Sequence, residues 1–298
     1  AISGTAKSDE FGTSVAISSD GNTVAGGADY NDDNGSNSGH ARVFTWSGTA
    51  WVQKGSTLVG EFKGDDMGRS ISLSADGNIV AVGEDSYDFN DQVSGPDPGR
   101  VRIFEFKNND WSLMGNPISG TFDGTNNGDD VGVSVALSNS GKRVVVGAPD
   151  RYDPGAAKVY DYKNGDWYLV GCELIGEENN DDFGWDVAIS GDGSTILIGN
   201  EMSSSKDSAY VKVFYYDNSP KISLVADSNV TCSGLANGGA SATVAQGTAP
   251  FTYMWTIVGP PTETDSSLSN LCANTYDVVV TDSNGCTANG SYTVISPN

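Results

Sequence analysis

Basic residues are scarce in this 298-residue chain: 16 lysines and arginines stand against 39 aspartates and glutamates, a formal charge of −23. Such a field repels phosphate backbones and anionic lipid headgroups, which argues against nucleic acid and acidic membrane as partners. The acidity itself has two readings, solubility in a salty medium or carboxylates that hold Ca²⁺. Long apolar runs are also missing. No stretch reaches the roughly 18–20 residues that cross a bilayer as a helix, so no membrane insertion is expected in this segment. The N-terminus lacks the basic, apolar and small-residue pattern of a signal peptide, which reads as a soluble chain already trimmed. Histidine is nearly absent. His40 alone is present, in a Gly, Ser and Asn-rich stretch with no signal of a nucleophile or an orienting carboxylate. It is read as a loop residue, and the chain is expected not to be an enzyme.

Cysteine is limited to Cys172, Cys232, Cys272 and Cys286. None forms the CxxC pair that binds zinc or runs redox exchange. Their position toward the C-terminal end implies disulfides and an oxidising compartment, and so a secreted or cell-surface, extracellular protein. Sequons at Asn34, Asn229 and Asn289 fit a glycoprotein.

What the chain has in quantity is glycine, 38 residues, with abundant Ser, Asn, Asp and aromatics. This composition, and the lack of any sustained 3.6-residue apolar period, predicts an all-β fold of short strands and tight turns. Four segments align: Phe11-Gly12 leads into SVAISSDGNTVAGGA, Met67-Gly68 into SISLSADGNIVAVGE, Val131-Gly132 into SVALSNSGKRVVVGAP, and Phe183-Gly184 into DVAISGDGSTILIGN. A variable loop follows each, then a strand: ARVFTW, RVRIFEF, AKVYDY or VKVFYY. Both faces of these strands are apolar, so each small sheet must be covered on both sides. A radial stack of antiparallel sheets meets that demand. A fourth strand is expected at 51–60, 111–120 and 167–176, and the fourth repeat stops without one. The turns Asp20-Gly21, Asp76-Gly77, Ser140-Gly141 and Asp192-Gly193 supply the positive φ of a two-residue hairpin.

The succession φ-Gly, S-V-A-I-S-x-D-G and V-G-A-P over residues 1–217 resembles the FG-GAP repeat of integrin-α-like β-propellers. The resemblance implies propeller blades, four of a larger ring, since such propellers commonly have seven blades. Either further blades lie outside this chain, or four close alone or with another chain. The family's calcium loop is shortened here to a bare Ser-Asp-Gly. A separate calcium candidate is the loop ADYNDDNG, which sets Asp29, Asn31 and Asp33 at alternate positions. Asp85, Asp88 and Asp91 form a weaker set. Asp9-Glu10, Asp65-Asp66, Asp129-Asp130 and Asp181-Asp182 precede each φ-Gly and read as turn architecture rather than as a carboxylate pair for glycoside hydrolysis.

Composition shifts near residues 217–220, and residues 218–298 read as a second domain of short strands, an antiparallel sandwich with Trp255 central and Tyr276 as a corner tyrosine. The segments VTCSGLANGGASATV, TAPFTYMW and LSNLCANTYDVVVTDSNGCTA resemble the SprB-type repeat, an immunoglobulin-like adhesin module. That resemblance implies a Cys232–Cys286 disulfide and leaves Cys272 either free or paired with Cys172. The functional expectation is a non-catalytic extracellular structural or adhesive protein, a subunit of a surface filament or appendage, with a calcium-assisted glycan-binding lectin as the alternative. The expected partners are other protein subunits or copies of itself, or glycans.

Overall fold

The computed structural model describes residues 1–87, 98–120, 128–150, 154–178, 181–201, 209–216, 221–230, 236–246, 249–256, 265–282 and 287–296. Among these residues every regular element is a strand, and the chain divides into two compact units, Ala1–Tyr216 and Asp217–Asn298.

The first unit is a row of four antiparallel sheets, one per repeat. Sheet one holds β1 (Val15–Ile17), β2 (Thr23–Ala28), β3 (His40–Trp46), β4 (Trp51–Gln53) and β5 (Leu58–Val59). Sheet two holds β6 (Ile71–Leu73), β7 (Ile79–Glu84), β8 (Arg100–Lys107), β9 (Asp110–Leu113) and β10 (Ile118–Ser119). Sheet three holds β11 (Val135–Leu137), β12 (Arg143–Ala148), β13 (Ala156–Lys163), β14 (Asp166–Leu169) and β15 (Leu174–Ile175). Sheet four holds β16 (Phe183–Ile189), β17 (Thr195–Asn200) and β18 (Val211–Tyr215). The expected single fourth strand is in fact two short ones. In sheet one, Gly55 takes a φ of 71° and breaks the strand, so β4 and β5 pair separately with β3.

The glycines of these turns take the expected positive φ, but each hairpin closes through a four-residue loop rather than a two-residue one, as where Ser18 N donates to Thr23 O. Ser18, Ser74 and Ser190 each donate a hydroxyl at 2.6 Å to the aspartate two residues on, and that carboxylate accepts the amide two residues further. These bonds hold Asp20 and Asp192 down to about 2.

Successive sheets are locked face to face. Ser14, Ser70 and Ser134 donate across to the carbonyls of Gly68, Gly132 and Gly184 at 2.6–2.8 Å. Gly27, Gly83 and Gly147 present bare Cα atoms to those same carbonyls; a Cβ there would lie 2.0 Å from the oxygen. The hairpin turns form a backbone relay: Ser19 N donates to Ala75 O, Ala75 N to Asn139 O, and Asn139 N to Gly191 O. At the far edge, Trp111 Nε1 donates to Lys54 O and Trp167 Nε1 to Met114 O, both at 2.6 Å, while Asp110 and Asp166 accept the amides of Ser56 and Asn116. Alternate residues of each strand therefore serve opposite neighbours. Ala25 and Val43 of sheet one join Ile71, Leu73, Val80 and Phe104 of sheet two in one core, and equivalent cores fill the next two junctions.

The second unit contains two three-stranded antiparallel sheets. One orders β19 (Lys221–Ser228), β20 (Gly238–Gln246) and β22 (Ser267–Leu271); the other orders β21 (Thr252–Thr256), β23 (Asn274–Thr281) and β24 (Thr287–Val294). They share a core around Trp255, which is wholly buried and donates Nε1 to Asp265 O at 2.9 Å. Tyr276 donates its hydroxyl to Cys272 O, four residues back, at 3.0 Å.

Candidate functional site

The acidic loop after β2 does not form a calcium cage. Asn31 donates Nδ2 to Asp9 and accepts the Asp33 amide on Oδ1, so its side chain is committed on both ends. Asp33 turns toward His40, with Oδ2 3.4 Å from Nδ1. Asp29 is buried with its Oδ1 unpartnered. With Asn31 committed, these side chains fall short of the six to eight oxygens that Ca²⁺ takes. Among the described residues no group of three or more His, Cys, Asp or Glu is placed to hold a metal ion. Asp88 and Asp91 lie outside the described residues.

His40 is not a loop residue. It opens β3 opposite Ala28 and is fully buried, because the strand begins one residue earlier than the ARVFTW segment suggests. Burial drives its pKa below the ordinary imidazole value, Arg42 adds to this, and Asp33 opposes it. Neither ring nitrogen has a hydrogen-bond partner, so no nucleophile is poised on it.

The carboxylate pairs before each φ-Gly are turn devices. Asp65 Oδ2 accepts the amides of Glu61 and Phe62, Asp181 Oδ2 accepts those of Glu177 and Glu178, and Asp9 Oδ2 accepts that of Ala6. The second acid of each pair, Glu10, Asp66, Asp130 or Asp182, takes a φ of 50–55° to turn the chain into the glycine.

The largest buried charge cluster escaped the sequence reading. Glu84, at the end of β7, is fully enclosed and takes Nε of both Arg100 and Arg102, while Arg100 also reaches Glu61 and Asp65. Burial pushes the Glu84 carboxyl up against the pull of the two guanidinium groups. Tyr87 stacks on Arg100 at 3.6 Å. The cluster knits the second sheet to the turn that enters it. It is missed because Glu84 replaces the Ala-Pro of VGAP and its partners lie 16 and 18 residues away.

Of the sequons, Asn34 donates Nδ2 to Gly60 O and Glu61 O, which occupies the atom a glycan would use. Asn229 and Asn289 are exposed. Cys272 is exposed and free, Cys172 is disulfide-bonded, and Cys232 and Cys286 lie outside the described residues.

The surface that stands out is apolar and lies at the two ends of the row. On sheet one Val15 is 73% and Ile17 65% exposed, beside an apolar cavity of about 440 Å³ lined by Phe11, Val24 and Phe44 among others. On sheet four Val211 is 61%, Val213 52% and Tyr215 68% exposed. Strands that are apolar on both faces predict sheets covered on both sides; the outer faces of these two are exposed.

Residues 2–44 match the FG-GAP repeat. The first sheet is thus FG-GAP-like, and the row of sheets is propeller-like without being closed. No curated protein matches the chain. Among solved structures it is similar to a putative 6-phosphogluconolactonase from Bacteroides uniformis ATCC 8492, at 12% identity and TM-score 0.45, covering 96% of this chain and 86% of that one. It is also similar to the periplasmic gluconolactonase of Pseudomonas aeruginosa, at 12% identity and TM-score 0.42, with 96% and 86% coverage. The Dos1 propeller is another, at 10% identity and TM-score 0.40, with 95% and 68% coverage. The expectation of a non-catalytic structural or adhesive protein, or of a lectin, is corrected here. Two of the structures it is similar to are named as gluconolactonases, at 12% identity, and a likeness of fold does not assign a function.

Proposed function

We propose that the two uncovered faces of the four-sheet row are surfaces on which further protein sheets dock. The observation that carries the reading is positional. Ile71, Val135 and Val187 are 7–8% exposed where a preceding sheet covers them, and Val15, at the same register, is 73% exposed. An exposed contiguous apolar patch on a soluble protein marks a contact surface. On this reading the four sheets are FG-GAP-like propeller blades that are completed by sheets beyond the four.

The same proposal takes the second unit as an immunoglobulin-like module of SprB type, on the strength of the buried Trp255 and the Tyr276 corner bond, and the chain as extracellular, with Asn229 and Asn289 available for glycans.

Oxidative footprinting of the chain at sub-micromolar concentration tests the reading. Val15, Ile17 and Tyr215 should label strongly while Val43 and Val159 stay protected. Equal protection of both groups in the dilute chain would remove the proposal.

A further inference from the structure

Building on that reading, we infer that the partner is a second copy of this chain, docked head to tail, with the fourth sheet of one copy against the first sheet of the next.

The three junctions inside the chain define what a sheet needs from each neighbour. On its leading side a sheet supplies three positions that pack into the next one: Ala25, Ala41 and Val43 in sheet one, Ala81, Val101 and Ile103 in sheet two, Val145, Ala157 and Val159 in sheet three, all at most 4% exposed. Register places Leu197, Val211 and Val213 at those positions in sheet four, where they are 40%, 61% and 52% exposed. On its trailing side a sheet receives its neighbour on the positions of Val15, Ile17 and Val24; in sheet one only the N-terminal residues reach that side, with Ser3 O accepting from Arg42 Nη2 and Ile2 lining the cavity, and Val15 and Ile17 stay exposed. Sheet four therefore presents one half of the junction and sheet one the other half, and the halves are complementary.

Two glycines sharpen the match. Gly27, Gly83 and Gly147 must be bare because the next sheet's φ-Gly carbonyl comes within 2.0 Å of a would-be Cβ. Gly199 holds the same position in sheet four, has no positive φ to require glycine, and the nearest atom to its would-be Cβ is Asp186 O at 3.7 Å. On the other side, Gly68, Gly132 and Gly184 each abut the preceding sheet's backbone within 2.6 Å, whereas Gly12 meets nothing within 4 Å. Each is a clearance with no occupant, and each would be filled by the other's sheet. One element runs against the junction: Asp186 stands where Ser14, Ser70 and Ser134 donate to a carbonyl, and an ionised carboxylate has no proton to give Gly12 O. The association is therefore weakened at one point, and the copies also repel through a charge of −23 each. Such a heterologous contact yields a ring if its rotation closes and an open chain of copies if it does not.

Light scattering on the full chain in about 0.5 M salt, where repulsion is screened, tests the inference. The wild type at high concentration should have the mass of two or more chains. Val15→Glu with Ile17→Glu blocks the head, and Val211→Glu with Val213→Glu blocks the tail. All four positions are solvent-exposed in a single chain, so each double variant should keep its circular dichroism and melting temperature. Each alone should be a single chain, and an equimolar mixture should give a dimer and nothing larger. Asp186→Ser should tighten wild-type association several-fold, and Gly199→Ala should abolish it. A wild type that stays monomeric, a blocked variant that still self-associates, or a mixture that does not pair would each overturn the inference. Failure here with strong dilute-state labelling of Val15 and Tyr215 would leave the association reading standing with a different partner.

Discussion

Replacing Gly147 by alanine is the sharpest perturbation of the sheet-to-sheet junction. Its would-be Cβ sits 2.0 Å from Gly184 O and 2.3 Å from Ser134 Oγ, and both are pinned, the carbonyl by backbone and the hydroxyl by its 2.8 Å bond to that same carbonyl. Reaching even a tight contact means opening the junction by about 1 Å, in an interior packed as densely as a crystal. Overpacking of this kind costs about 1–3 kcal/mol, and more where backbone must yield. Loss of the serine bond adds about 1 kcal/mol. The total of about 2–4 kcal/mol corresponds to a fall of roughly 4–16 °C in melting temperature for a unit of this size. Gly199→Ala, identical chemistry at the equivalent strand position of sheet four, meets no atom closer than 3.7 Å and should change stability by less than about 0.5 kcal/mol. Urea denaturation and calorimetry of the two variants, at concentrations where the chain is a single copy, measure the contrast. Equal effects at the two positions would refute the argument that Gly147 is fixed by its neighbouring sheet.

Three further outcomes follow from the same structure. Trp167→Phe removes the donor to Met114 O from a nearly buried site and should cost about 1–3 kcal/mol by urea unfolding. Glu84→Gln keeps the shape but leaves Arg100 and Arg102 without their shared buried counter-charge; a loss of about 3–5 kcal/mol is expected by the same assay, and an unchanged midpoint would show the cluster to be dispensable. Burial pushes the Asp85 carboxyl up to about 6, above its unfolded value, so its stabilising contribution is full below about pH 4 and is lost as pH rises through 6. Stability of Asp85→Asn relative to wild type should therefore increase from pH 4 to pH 7, by up to about 3 kcal/mol, and the carboxyl should titrate near 6 by NMR.

The repeat and its turns were legible because they are local. An Asp-Gly pair after a serine closes its own hairpin, as at Ser18–Asp20, with no help from distant chain. Asp9, Asp65 and Asp181 likewise find their amide partners within four residues. What was not legible depends on separations of tens of residues. The requirement for glycine at Gly27, Gly83 and Gly147 comes from carbonyls in the following repeat, and the split of the fourth strand comes with tryptophans 53 and 57 residues away that grip the turn. His40 looked like a loop residue because Gly, Ser and Asn surround it, while its pairing with Ala28 is decided by strand register. The metal reading of Asp29, Asn31 and Asp33 counted spacing alone; the structure directs Asn31 to Asp9 and Asp33 toward His40.

The central claim is that the four repeats stack face to face, and amide exchange reads it at three residues. Ser19, Ala75 and Asn139 lie on surface turns, yet their amides donate to the turn of the following sheet at 2.8–2.9 Å. Hydrogen–deuterium exchange should find these three strongly protected, unlike the amides of the Asn164-Gly165 turn, for which no neighbouring sheet supplies an acceptor. Exchange at Ala75 and Asn139 as fast as at that turn would contradict the stacked arrangement.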